Sequence, residues 1–130
     1  GLIAGRRLTE REEEDVTYGF EVAREISRLD IGQTVIIRNG TVLAVEAFEG
    51  TNETIKRGGA LGGKNAIMIK VSKPNQDMRF DVPVIGVETI RVAAESNLRV
   101  IAVEAGRTLL LEREALIDLA TRSNVSIVGR

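Results

Sequence analysis

The chain has neither a cysteine nor a histidine. The first absence excludes disulfides, thiolate nucleophiles and sulfur-bound zinc, and it fits a cytoplasmic protein. The second excludes an imidazole base, a Ser–His pair and a His-bound metal. Chemistry in this chain therefore rests on carboxylates, Lys, Arg, hydroxyls and backbone amides. A metal, where one takes part, would be a hard, oxygen-bound cation such as Mg²⁺. Aromatics are scarce: Tyr18, Phe20, Phe48 and Phe80 make up 3% of the residues, too few for a base-stacking platform. The net charge of −1 supplies no basic field, so nucleic acid is not expected as a partner. No apolar run approaches the roughly 20 residues that a bilayer crossing needs, and no signal peptide is visible.

What is present describes one folded domain of 130 residues, 43% hydrophobic and 28% charged, a balance that supports a packed core. The chain begins at Gly1 rather than Met, and Leu2 to Ala4 followed by Gly5, Arg6 and Arg7 reads as a linker. Residues 1–15 are accordingly expected to be linker and the start of a first helix, and residues 16–130 the domain proper. Thr9 with Glu12 forms a capping-box pattern, and Glu12, Glu13 and Glu14 suit a helix N-terminus. Val16, Phe20, Ala23, Ile26 and Leu29 then share one helical face, and Asp30-Ile31-Gly32 ends it. Gly19 costs such a helix about 1 kcal/mol relative to Ala and marks a candidate break.

From Thr34 the period changes. Val35 to Ile37 run up to Asn39-Gly40, and Val42 to Val45 follow, a strong hairpin signal. Both arms are apolar at consecutive positions, which predicts a sheet covered on both faces. Ile67 to Val71, Val100 to Val103 and Val125 to Val128 read as further buried strands, with helices at Glu88 to Glu95 and Glu112 to Thr121 and a shorter one at Thr51 to Arg57. This alternation predicts a three-layer α/β/α sandwich with a mixed sheet that includes one β-hairpin.

Gly58-Gly59-Ala60-Leu61-Gly62-Gly63-Lys64 approaches a phosphate-binding P-loop, but Asn65 stands where Ser or Thr is needed. A strand also follows it instead of a helix, so it reads as a flexible connector. Asn39-Gly40-Thr41, Asn52-Glu53-Thr54 and Asn124-Val125-Ser126 match the glycosylation pattern by chance.

Three polar clusters lie just beyond apolar strands. In Lys73-Pro74-Asn75-Gln76-Asp77-Met78-Arg79-Phe80-Asp81, Lys73 and Arg79 can meet phosphate oxygens, while Asp77 or Asp81 can hold Mg²⁺ or orient a water. The same composition also suits a solvated loop with local ion pairs. Glu46 with Glu49-Gly50-Thr51, and Glu104-Ala105-Gly106-Arg107, each set a carboxylate beside a glycine, which ordinary turn chemistry would also explain. Strand ends are where α/β sheets take ligands, and three clusters on one edge would make a site.

The stretches Asp30-Ile31-Gly32-Gln33, Val42 to Thr51 (VLAVEAFEGT), Lys73 to Asp81 (KPNQDMRFD), Pro83 with Ile85-Gly86, and Ala102 to Gly106 (AVEAG) together resemble the C-terminal domain of the UDP-2,3-diacylglucosamine pyrophosphatases. The resemblance runs from about Val16 to Gly129. It implies Mg²⁺-dependent attack of water on the diphosphate of a lipid-linked UDP-sugar, giving UMP and lipid X in lipid A biosynthesis. It implies an N-terminal domain with the lipid product held between the two, and a fold similar to the cytidine deaminase topology, whose zinc signature is absent here. One departure is Asn52, where the family often has Asp after Glu-Gly-Thr.

On residues and resemblance together, the expected catalytic set is Asp77, Lys73 and Asp81, with Asp77 also the metal ligand. Gln76, Arg79, Glu49, Gly50, Thr51, Glu104, Gly106 and Arg107 are the expected substrate- and phosphate-binding residues. A homodimer and peripheral contact with the inner membrane through the lipid substrate are further expectations. Two other readings stay open: a nucleotide-sugar or phosphate-binding module without its own activity, and a structural or oligomerising domain.

Overall fold

A computed structural model of the chain describes residues 1–73 and 82–130. The first helix, α1 (Glu10–Arg28), is set by its cap. Thr9 Oγ1 accepts from the Glu12 amide at 3.1 Å, and Glu12 Oε1 accepts from the Thr9 amide at 2.8 Å. Arg6 donates to both oxygens of Glu12, at 2.9 and 3.0 Å. Burial pushes the Glu12 carboxyl up, but Arg6 and the Thr9 amide more than reverse this and leave it below the ordinary value of 4.5. The helix runs unbroken through Gly19. A Cβ there would lie 2.6 Å from Ile69 Cγ1 and 3.2 Å from Ile37 Cδ1, so the glycine is a close helix–sheet contact and not a break.

Six strands form one mixed sheet: β1 (Leu2–Ala4), β2 (Thr34–Arg38), β3 (Thr41–Val45), β4 (Ala66–Lys70), β6 (Leu98–Val103) and β8 (Ser126–Gly129), in the order β1-β8-β6-β4-β2-β3. The pairs β4–β6 and β6–β8 are parallel, and the remaining pairs are antiparallel. The β2–β3 hairpin turns at Asn39-Gly40, both with positive φ (50° and 75°), as a type I′ turn requires. The opening residues, expected as a linker, instead supply the edge strand β1, with Leu2 opposite Val128.

The consecutive apolar positions divide between two cores. Val35, Ile37, Ile67, Ile69, Val100 and Ala102 pack with Val16, Phe20, Ala23 and Ile26 of α1. On the other face, Ile36, Met68, Ile101 and Ile127 pack with Ile55, Ile90, Ala93 and Leu116, which belong to α2 (Thr51–Gly62), α3 (Val87–Glu95) and α4 (Arg113–Arg122). The result is the expected three-layer sandwich, one helix against three.

The glycine-rich stretch is not a flexible connector. It is the second half of α2, with Gly58, Gly59 and Gly62 buried. A Cβ at Gly58 would lie 2.6 Å from Ile36 Cβ, and one at Gly59 would lie 2.5 Å from the Ser96 carbonyl oxygen. Glycine lets α2 approach both the sheet and the end of α3. A short parallel pair, β5 (Val84–Ile85) with β7 (Leu109–Leu110), completes the described elements.

Candidate functional site

The strand directions bring Glu46 to Thr51, Glu104 to Arg107, and Lys73 to one edge of the sheet. Strands β4, β6 and β8 end there, at Lys70, Val103 and Gly129, as does β3 at Val45. Antiparallel β2 starts there, since Thr34 pairs with Lys70 and Val35 with Val45. Helices α2, α3 and α4 also begin on this side. The N-caps of α2 and α3 are Gly50 and Gly86, and neither carries a side-chain cap. Among the described residues, the first amides of both helices have no side-chain acceptor.

The exit of β4 is held on three sides. Ser72 donates to Glu104 Oε1 from its amide at 2.7 Å and from its hydroxyl at 2.9 Å, while its carbonyl accepts from Ser27 Oγ at 3.0 Å. Gln33 Nε2 donates to the Val71 carbonyl at 2.7 Å, and the Val71 amide returns a bond to the Gln33 carbonyl at 2.9 Å. Lys73 Nζ lies 3.6 Å from Asp30 Oδ1, an open pair with both groups well exposed. The chain thus leaves β4 from a fixed origin.

Each expected residue can now be placed. Glu49 accepts from the Ala47 amide at 2.9 Å and from Arg57 at 2.8 and 3.0 Å; the amide first, then the guanidinium, hold its carboxyl below the usual range. Its carboxylate braces its own loop. Gly50, with φ 92°, caps α2, and Thr51 Oγ1 lies 3.4 Å from Thr34 Oγ1. Glu104 has a side chain only 14% exposed and approaches Arg24 at 4.0 Å; with Ser72 on its other oxygen, it serves as a scaffold anchor. Gly106 and Arg107 lie exposed on the turn after β6. Asn52 sits half-buried in the first turn of α2. Gln76, Asp77, Arg79 and Asp81 lie outside the described residues. Among the described residues no group of three acidic side chains gathers to hold a metal. Glu49 and Glu104 are already engaged, and Glu46 accepts from the Gln33 amide at 3.1 Å.

Three features escaped the sequence reading. Lys70 closes the apolar run Ala66-Ile67-Met68-Ile69 on a central strand, and a lone cation at that place is the signal that could have found it. A cavity of about 380 Å³ opens beside β6, lined in part by Glu104, Gly106, Thr108, Leu110 and Arg113; Thr108 and Arg113 fall in segments with no distinctive pattern. The edge also carries exposed apolar residues on its loops and short strands: Ile31, Phe48, Val82, Val84 and Leu109, with Phe48 fully exposed. An apolar rim around polar strand ends suits a ligand with both an anionic and a greasy part. No helix among the described residues is long and apolar enough to cross a membrane.

Residues 1–128 match the family model described as LpxI C-terminal domain. The UDP-2,3-diacylglucosamine pyrophosphatase LpxI of Caulobacter vibrioides is 42% identical over 123 residues, covering 88% of this chain and 44% of that protein. The chain therefore spans less than half the length of the curated relative it matches.

Proposed function

This chain belongs to the LpxI C-terminal domain family, and from that premise we propose that its protein hydrolyses the diphosphate of UDP-2,3-diacylglucosamine to UMP and lipid X. The single observation that carries the reading is the shared edge, where strand ends, uncapped helix N-termini and an apolar rim meet. Water attacks one phosphorus, the bridging P–O bond breaks, and the water's proton balance is completed on the departing phosphate. Such a transfer depends on positioning and charge neutralisation more than on covalent help. Lys73 and Arg79 supply charge to the diphosphate. Asp77 orients the water or serves as an oxygen ligand of Mg²⁺, with Asp81 second. A bound Mg²⁺ would supply charge neutralisation at the phosphate oxygens, and its protein ligands would come from Asp77 and Asp81. Glu104, Ser72 and Gln33 fix the point where that segment leaves the sheet.

The proposal includes a site shared with an N-terminal domain, a cytoplasmic protein that meets its lipid substrate at the inner membrane, and a homodimer. The test is UMP release from UDP-2,3-diacylglucosamine, with and without a Mg²⁺ chelator, by the intact protein and by residues 1–130 alone. The intact protein should turn over, and the chelator should stop it. The isolated chain should be slow, because a site missing one wall loses several kcal/mol of positioning. An intact protein that binds UDP but releases no UMP would instead favour a binding module.

A further inference from the structure

Lys70 is the last residue of β4, and its neighbours across the sheet are Thr34 on β2 and Val103 on β6. Directly paired residues project from the same face. Thr34 reaches Thr51 at the start of α2, with the two hydroxyl oxygens 3.4 Å apart. Val103 and Met68 pack in the core under α2, α3 and α4. The Lys70 side chain therefore leaves the sheet between the uncapped starts of α2 and α3. Its one hydrogen bond among the described residues is a long one, 3.5 Å from Nζ to the Val84 carbonyl.

Three cations at the same edge are differently placed, while Arg107 and Arg113 share with Lys70 the lack of a carboxylate within 4.0 Å among the described residues. Arg24, Arg57 and Lys73 each lie within 4.0 Å of a carboxylate, those of Glu104, Glu49 and Asp30. Lys70 has no such partner among the described residues, although it is half-buried. Burial depresses its ammonium below the ordinary 10.5, and the more distant Glu46 carboxylate opposes this only in part. Among the described residues, a Cβ on Gly50 or Gly86, the N-caps of the two flanking helices, would meet nothing within 4 Å. A partly dehydrated ammonium with no counter-charge among the described residues, beside a hydroxyl pair at a strand end, suits an anion.

We propose that Lys70 is a substrate-contacting residue that donates through Nζ to a non-bridging oxygen of a nucleoside diphosphate, with Thr34 and Thr51 beside it. This rests on the hydrolase reading for the identity of the substrate, but not for the anion site itself. During hydrolysis the same ammonium would meet the charge that builds on the departing phosphate.

The experiment compares Lys70→Met, Lys70→Gln and Lys70→Arg with wild type in the intact protein, by kcat, KM, melting temperature, and calorimetric binding of UDP and of inorganic pyrophosphate. Lys70→Met should lower kcat/KM by about 100-fold and weaken both anions by about tenfold, with no loss of melting temperature. Lys70→Gln keeps a donor for the Val84 carbonyl without the charge and should fail alike, whereas Lys70→Arg should recover part of the binding. Recovery by Gln would show a structural hydrogen bond and overturn the proposal, as would Lys70→Met within about threefold of wild type in both anion binding and kcat/KM. If wild type releases no UMP yet binds UDP in a Lys70-dependent way, the hydrolase reading falls and the anion site stands. If wild type turns over and every Lys70 variant matches it, the anion site falls and the hydrolase stands.

Discussion

The two edges of the central sheet are built from different residues for different ends. At the edge away from the candidate site, Asn39, Asn65, Asn97 and Asn124 all sit at positive φ, between 50° and 66°, in the short turns that return the chain from β2, α2, α3 and α4. Asparagine tolerates this conformation and stiffens it. The backbone there is also well partnered. Asp15 accepts from the Asn39 and Gly40 amides at 3.0 and 2.8 Å, Arg38 donates to the Gly62 carbonyl at 2.8 Å, and the Asn65 amide donates to the Asn97 carbonyl at 3.0 Å. At the site edge, by contrast, a Cβ at position 50, 86 or 106 would meet no described residue within 4 Å, and the N-termini of α2, α3 and α4 carry no side-chain cap. One edge closes the fold and the other leaves polar groups for a ligand. Substitutions should therefore sort into two kinds, those that cost turnover and those that cost stability.

The largest effect belongs to Asp77. Asp77→Ala in the intact protein should abolish turnover while leaving melting temperature and substrate binding close to wild type, as expected of a loss confined to the proposed positioning of water or a cation. Asp81→Ala is the control, nearer Pro83 and the next buried stretch. Retention of more than about a tenth of kcat, a barrier change under roughly 1.4 kcal/mol, would remove Asp77 from its role. The opposite kind of effect comes from Gly59→Ala, whose new methyl meets the Ser96 carbonyl at the asparagine edge. It should cost about 1–3 kcal/mol of stability, read by denaturant unfolding, with kcat of the remaining folded protein unchanged. Loss of turnover in a fully folded Gly59→Ala would break the division.

Much of the stable edge could be read in advance, because local chemistry writes it. The capping box at Thr9 and Glu12, the Asn39-Gly40 turn, and the apolar runs that became β2, β3, β4, β6 and β8 depend on neighbours in sequence. What could not be read depends on neighbours in space. Leu2 to Ala4 become a strand only because β8 lies beside them, and Val84-Ile85 only because Leu109-Leu110 does. Gly58 and Gly59 suggest looseness as composition, yet Ile36 and Ser96 demand the missing Cβ. That Glu46 to Thr51, Glu104 to Arg107 and Lys73 gather on one edge was foreseeable from their places just beyond apolar strands. The pairing that commits Glu49 to Arg57 and Glu104 to Ser72 was not, since a sequence shows charges but not which are already satisfied.

A smaller and pH-dependent effect is expected at Glu12, in the first turn of α1. Glu12→Gln keeps the shape of the cap but loses the charge that faces Arg6, and should cost about 1 kcal/mol at neutral pH. The Glu12 carboxyl is lowered in the folded state relative to 4.5. Its contribution is therefore complete above that value and fades as pH falls through the lower folded one. The stability gap between wild type and Glu12→Gln should narrow as unfolding is followed from neutral to acid pH. A gap that stays constant across this range would show that the charge is irrelevant and that only the hydrogen bonds count.

The smallest effect, and the sharpest check on the division, is expected at Arg99. This residue is 5% exposed at the asparagine edge, where its Nη1 donates to the Asn124 carbonyl and its buried Nη2 has no hydrogen-bond partner among the described residues. A buried guanidinium with an unpaired N–H recovers little of its desolvation cost. Arg99→Met retains most of the apolar stem and removes that cost, at the loss of one hydrogen bond worth about 1 kcal/mol. The Asn124 carbonyl left behind borders a cavity of about 270 Å³ that Lys64, Asn65 and Asn124 help to line, so water can replace the donor. The two changes nearly cancel, and melting temperature should move little in either direction. Turnover should not move at all, because Arg99 lies in β6 at the opposite end from Val103 and Glu104. If Arg99→Met instead melts like wild type but loses UMP release, a group at the closed edge serves the reaction and the separation of the two edges is wrong.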